Sequence, residues 1–220
     1  MKSLMIAALF AALPLTSSAQ DPAKVDGAHY KVLIDNASVR VLKVSFGVGE
    51  KSPMHSHPDA MLVPLDSAKA RFTMPDGKSE DGTLTKELAA YTPASTHSPA
   101  NVGTTKIDLI LVEFKAKTAG TATLPTERPD MTQTVLAESP RATAWRTTAA
   151  PTFSEAAGTT HEYDQVVVAL TSGDISLAVE GQPTRTKWQR GDAQFVGRGV
   201  KHEAKNTGGK PIDFVIVAIK

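Results

Sequence analysis

The amino-acid sequence predicts an all-β protein made of two similar domains in tandem, and three observations carry that expectation. The segment Asn101-Val-Gly-Thr-Thr-Lys-Ile-Asp-Leu-Ile-Leu-Val-Glu-Phe-Lys115 returns as Asn206-Thr-Gly-Gly-Lys-Pro-Ile-Asp-Phe-Val-Ile-Val-Ala-Ile-Lys220, at an offset of 105 throughout. His97 and His202 keep that offset, while His57 and His161 stand 104 apart, so one single-residue gap reconciles the halves. Two copies of this length can each enclose a core, which means a duplicated domain and not a solenoid. Finally, short apolar stretches alternate with turn residues, and no stretch sustains the 3.6-residue period of a helix. That pattern indicates sandwiches or barrels.

Taken in order, the chain begins with a segment outside the fold. Lys2 precedes an apolar run from Leu4 to Leu15, and Ser17-Ser18-Ala19 offers small residues before Gln20. Residues 1–19 read as a secretory signal peptide too short to span a bilayer, with no cysteine for a lipid anchor after the cut. The expected location is the periplasm or the outside of the cell, with no membrane anchor after cleavage. Domain 1 spans 20–117. Its strands are Val39 to Phe46, Met61 to Leu65, an alternating run through Ala70, Phe72 and Met74 that stops at the Pro75-Asp76-Gly77 turn, and Ile107 to Phe114. Residues 118–140 are rich in Thr, Ala and Pro and read as a linker, with a helical turn near Val135 to Glu138. Domain 2 spans 141–220. It offers Gln165 to Leu170, alternating Ile175, Leu177 and Val179 ending at Gly181, then Phe195-Val196 and Ile212 to Ile219. Asp108 and Asp213 mark entry into matched strands.

Composition narrows the chemistry. The 220 residues carry 24 Lys+Arg against 23 Asp+Glu, a formal net charge of +1, and no cysteine. The balance is that of an ordinary globular protein. Near-neutral charge without a basic run argues against nucleic acid as a partner. Without cysteine there is no disulfide, thiol nucleophile, zinc finger or iron–sulfur ligation. Nucleotide-binding loops and the nucleophile elbow of hydrolases are missing from the sequence. The charges from Arg185 to Arg190 read as a solvated hairpin.

Five of the six histidines fall at the repeat's motif points: His57 with His161, His97 with His202, and His55 at the point where the second half has Thr159. The first half reads Gly49-Glu-Lys-Ser-Pro-Met-His55-Ser-His57, with His97-Ser-Pro-Ala-Asn101 about forty residues later. This resembles the cupin family, whose motifs are G-x5-H-x-H-x3,4-E and P-x-G-x2-H-x3-N. Gly49, His55, His57, His97 and Asn101 match, and Pro53 to Pro58 is similar to the P-M-H-S-H-P run of small single-domain cupins. In the second half, Gly197-Arg-Gly199-Val-Lys-His202-Glu-Ala-Lys-Asn206 matches the second motif, with Gly197 in place of proline. The resemblance implies a bicupin: two tandem double-stranded β-helix, jelly-roll-like barrels.

The histidine chemistry also stands apart from the resemblance. On a strand, residues i and i+2 face one side, so His55 and His57 aim into one cavity, where His97 arrives from a distant strand. Three imidazoles suit a divalent transition metal (copper, zinc, iron or nickel) and leave positions open for water or a small-molecule ligand. The family's acidic ligand is missing: Met61 and Leu62 stand where glutamate is expected, with Gln165 taken as the counterpart in the second half. Met61 is a candidate soft ligand, although packing is the ordinary role of methionine. In the second barrel Thr159 replaces the first histidine. That leaves His161, Gln165 and His202, with Glu162 and Tyr163 nearby, a poor cage expected to bind metal weakly or not at all. His29 has no counterpart and is expected at the surface.

Three functions follow as expectations. The first is an exported metal-binding bicupin of unassigned activity, and the second is a three-histidine oxygenase acting on a small organic molecule. The third is a metal-free binding or interaction module with two barrels packed as a pseudo-dimer; an oligomer is compatible with each.

Overall fold

The computed structural model describes residues 20–115, 122 and 128–220; residues 1–19, read above as a signal peptide, and 118–121 and 123–127 of the linker lie outside them. After a one-turn helix, Pro22–Val25, the first half contributes β1 (Tyr30–Asp35), β2 (Val39–Phe46), β3 (His55–His57), β4 (Ala60–Pro64), β5 (Ala68–Thr73), β6 (Ser79–Leu84), β7 (Ala90–Thr92), β8 (Ser95–Asn101) and β9 (Ile107–Phe114). They form two antiparallel sheets, ordered β1-β2-β9-β4-β7 and β3-β8-β5-β6. The expected turn after Met74 is present: Gly77 takes a φ of +80°, which its missing side chain permits, and Met74 N donates to Lys78 O at 2.8 Å.

The second half contributes β10 (Met131–Glu138), β11 (Ala142–Ala149), β12 (Asp164–Ala169), β13 (Ile175–Val179), β14 (Gln182–Arg185), β15 (Ala193–Val196), β16 (His202–Asn206) and β17 (Ile212–Ile219). Their sheets run β10-β11-β17-β12-β15 and β14-β13-β16. The turn of helix expected at Val135 to Glu138 is instead the end of β10. Met131 to Glu138 pairs with Ala149 to Thr143 of β11, just as β1 pairs with β2. Thr132, Thr134 and Val135 are β-branched, and the neighbouring strand satisfies their backbone groups, which overrides the linker-like composition.

The period of two explains why β9 and β17 are almost wholly buried. Ile107, Leu109 and Leu111 face the first barrel's interior, while Ile110, Val112 and Phe114 face the other way. In β17, Phe214 and Ile216 face inward, and Val215, Val217 and Ile219 outward. The two outward faces meet in one shared core, joined by Val39, Met61, Ala144 and Val166. A buried aliphatic side chain contributes roughly 1.5–3 kcal/mol, so this seam is a principal part of the fold. Gly191 permits its close approach: a Cβ there would stand 2.9 Å from Leu65 Cδ1, and its φ is +86°. Polar ties rim the seam, including Ser38 Oγ to Asp164 at 2.6 Å, Arg190 to Asp66 at 2.9 Å and Arg146 to Glu87 at 3.0 Å. The basic run near Arg190 is therefore not simply a solvated hairpin. Arg190 binds the first barrel, and Arg185 pairs with Asp192 and lies over the buried Trp188 ring.

Repeat positions do matched structural work. Asp108 O accepts from Leu65 N, and Asp213 O accepts from Leu170 N, both at 2.8 Å. Asn101 Nδ2 donates to Phe46 O and Thr105 O, and Asn206 Nδ2 to Ala149 O and Lys210 O. Among the described residues no helix is long and apolar enough to cross a membrane.

Candidate metal centre

Strand β3 sets His55 and His57 on one face, and its antiparallel pairing with β8 places His97 directly across from His55. Each histidine offers a ring nitrogen, and these nitrogens all lie within 4.8 Å of one another. The partners of the outer nitrogens decide the proton positions. Pro53 O has no hydrogen to give, so His55 Nδ1 donates to it at 2.8 Å. His57 Nδ1 donates to Glu113 Oε1 at 2.6 Å, while Glu113 Oε2 accepts from Arg40 Nε at 2.5 Å. Both Nε2 atoms are thereby left as lone-pair donors to a cation, and they face each other at 3.0 Å. Two lone pairs held that close call for a positive centre between them. The residues fit a metal.

Burial and chemistry agree. Burial, helped by the neighbouring His57 and His55, pushes the His97 pKa down to about 4. His55 is also lowered, first by burial, with the Pro53 hydrogen bond opposing and His57 adding to it. Both are neutral at neutral pH, the form that binds metal. His97 Nδ1 lies 3.1 Å from Ser95 Oγ. Beside the histidines is an apolar cavity of about 100 Å³, walled by Tyr30, Phe46, Leu62, Phe72 and Leu84. His29, expected at the surface, is partly buried. It bonds Asp26 and stacks on Phe46 at 4.4 Å, bracing that wall from behind.

Glu113 was not among the residues expected here, and the strand register explains its role. Ala60 stands opposite Glu113 on β4 and β9, while Gln165 stands opposite Ala218 on β12 and β17. Since 113 and 218 keep the repeat offset, Gln165 corresponds to Ala60 and not to Met61 or Leu62. The polar side chain has changed strands between the two barrels, with alanine opposite it each time. The signal was present: Glu113 is the one charge inside the apolar run 109–114, matched to Ala218 in the repeat. Met61 is no ligand. It is fully buried in the seam between the barrels, and Leu62 is the residue that faces the cavity.

The second barrel differs from expectation. Thr159 bridges His202 as His55 pairs with His97, confirming the lost histidine. A third candidate ligand nevertheless arrives from elsewhere: Glu155, His161 and His202 offer atoms able to hold a metal, all within 4.8 Å of one another. Glu155 N donates to Ala204 O as Ser52 N donates to Pro99 O, so Glu155 occupies the position of Ser52, just before the motif histidines. No strand pattern marks that loop, which hid it from the sequence. Gln165 lines the same cavity as His161 and His202, and Glu162 is exposed. Tyr163 is buried and stacks on His161 at 5.2 Å, and burial pushes its pKa up to about 12. His161 is lowered to about 4 by burial, then by His202 and Arg128.

No family model and no curated protein matches the chain. Solved structures do. A cupin 2 conserved barrel domain protein from Leptotrichia buccalis aligns with a TM-score of 0.56 and 11% identity, over 87% of this chain and 88% of that one. Oxalate decarboxylase from Lactobacillus farciminis aligns at 0.61 and 11%, over 83% and 77%. A variant of salicylate 1,2-dioxygenase from Pseudoaminobacter salicylatoxidans aligns at 0.60 and 12%, over 83% and 71%. At such identities the likeness is one of fold. The chain has the cupin fold twice over.

Proposed function

We propose that this chain is an exported bicupin whose first barrel holds a divalent transition metal (copper, zinc, iron or nickel) on His55, His57 and His97. One observation carries the reading: the two Nε2 lone pairs facing each other at 3.0 Å, each made available by a partner on its own Nδ1. Export rests on the signal-like residues 1–19. A bound metal supplies Lewis acidity at whatever positions the three imidazoles leave open. The chain's own residues do the rest. Glu113 holds the His57 ring and its proton, Pro53 holds that of His55, and Tyr30, Phe46, Leu62, Phe72 and Leu84 give the cavity an apolar wall.

That cavity favours a second reading, an enzyme acting on a small, mainly apolar organic molecule seated against His57 and His97. Metal analysis of the purified protein tests the first reading. His57→Ala and His97→Ala should each hold one equivalent less than wild type while circular dichroism is unchanged. Equal metal in all three proteins would refute it. Substrate-dependent oxygen uptake that disappears in His97→Ala would establish the second.

A further inference from the structure

We propose that the second barrel carries a metal centre of its own, built on Glu155, His161 and His202, with a carboxylate in place of the missing histidine. The Glu155 side chain is only 8% exposed, and a carboxylate so far out of water needs positive partners. Arg128 takes Oε1, and Oε2 points at His202 Nε2 from 3.5 Å. His202 Nδ1 donates to Val200 O at 3.1 Å, which turns the lone pair of Nε2 toward that oxygen. Two acceptors thus face one another, with His161 close by, its ring centroid 4.9 Å from that of His202. A metal fits between them. The rival occupant is a second proton on His202, giving an imidazolium–carboxylate pair and no metal.

The cavity supplies an independent observation. Gln165 Oε1 and Thr147 Oγ1 line it, both residues are at least nine-tenths buried, and neither atom has a hydrogen-bond partner. The wall of the first barrel's cavity is almost wholly apolar, so these polar atoms belong to a different kind of site. Gln165 Oε1 can only accept, and it suits a water or a small hydroxyl-bearing molecule carried on the metal's open positions. Two imidazoles and one carboxylate form a harder donor set than three imidazoles, and it is the set that suits non-haem iron(II). The two barrels should therefore differ in metal preference.

The test uses zinc(II) and the full chain in a His57→Ala background, which removes the first centre and separates this proposal from the preceding one. After desalting, His57→Ala should keep one zinc. Adding His161→Ala or Glu155→Gln should weaken zinc binding by at least ~100-fold, because loss of a ligand exceeds the 10–100-fold typical of losing a ligand's supporting partner. His161→Ala guards against a folding effect of freeing Arg128, and zinc should raise the melting temperature of His57→Ala alone. If His57→Ala retains no zinc, or retains zinc that neither added substitution displaces, the second centre does not exist.

Discussion

Asp21, Arg40, Glu113 and His57 form a line of charge that ends at the candidate metal. Arg40 Nη1 bonds Asp21 at 2.7 Å and its Nε bonds Glu113, whose other oxygen holds the His57 ring. Glu113 is 1% exposed, so its substitution acts on both metal and fold. Glu113→Gln should retain the shape but weaken metal binding by about 10–100-fold, as losses of ligand-orienting partners do. Glu113→Ala should also leave Arg40 with Asp21 as its one remaining carboxylate and its Nε unpaired, at a cost of roughly 1–3 kcal/mol in chemical denaturation. Metal affinity unchanged in Glu113→Gln would show that Glu113 only balances Arg40. At this scale the sequence revealed the histidines, because ligand spacing on one strand is local. It concealed Glu113 and Glu155, because their reach into the sites depends on cross-strand register and on a loop's path.

Strands β4 and β9 show how one element serves two cores. Met61 and Leu62 are neighbours in sequence, yet the pleat sends Met61 into the seam and Leu62 into the cavity. Met61→Ala should cost about 2–5 kcal/mol, the range for a truncated buried side chain, and leave metal content as it was. A loss of metal without a loss of stability would restore Met61 as a ligand. Strands such as β9 and β17 were legible because continuous apolar runs mark an element buried on both faces. The polar β6, the Thr-rich β10 and the Ala- and Thr-rich β11 carry no such mark; their neighbours in the sheet determine them.

The whole molecule is two barrels fused along one apolar seam, with a cluster of buried and half-buried imidazoles in each. His97 and His161 sit near a pKa of about 4 in the folded, metal-free protein, against an ordinary value of 6.5. Between those values the unfolded chain binds protons that the folded chain refuses, so stability is full above the ordinary value and lost as pH falls toward the lower one. In chelator, the melting temperature should drop steadily from about pH 7 to about pH 4.5, and His97→Gln/His161→Gln should flatten that slope. A slope identical to wild type would show that these rings are not the groups responsible.

The central claim is the three-imidazole centre of the first barrel, and X-ray absorption at the zinc edge reads its ligands directly. The sample is a Glu155→Gln/His161→Ala variant loaded with one equivalent of zinc, so that the second barrel contributes nothing. The expected spectrum shows three imidazole nitrogens at ~2.0–2.1 Å and no sulfur. A sulfur shell, fewer than three imidazoles, or zinc lost on desalting would contradict it.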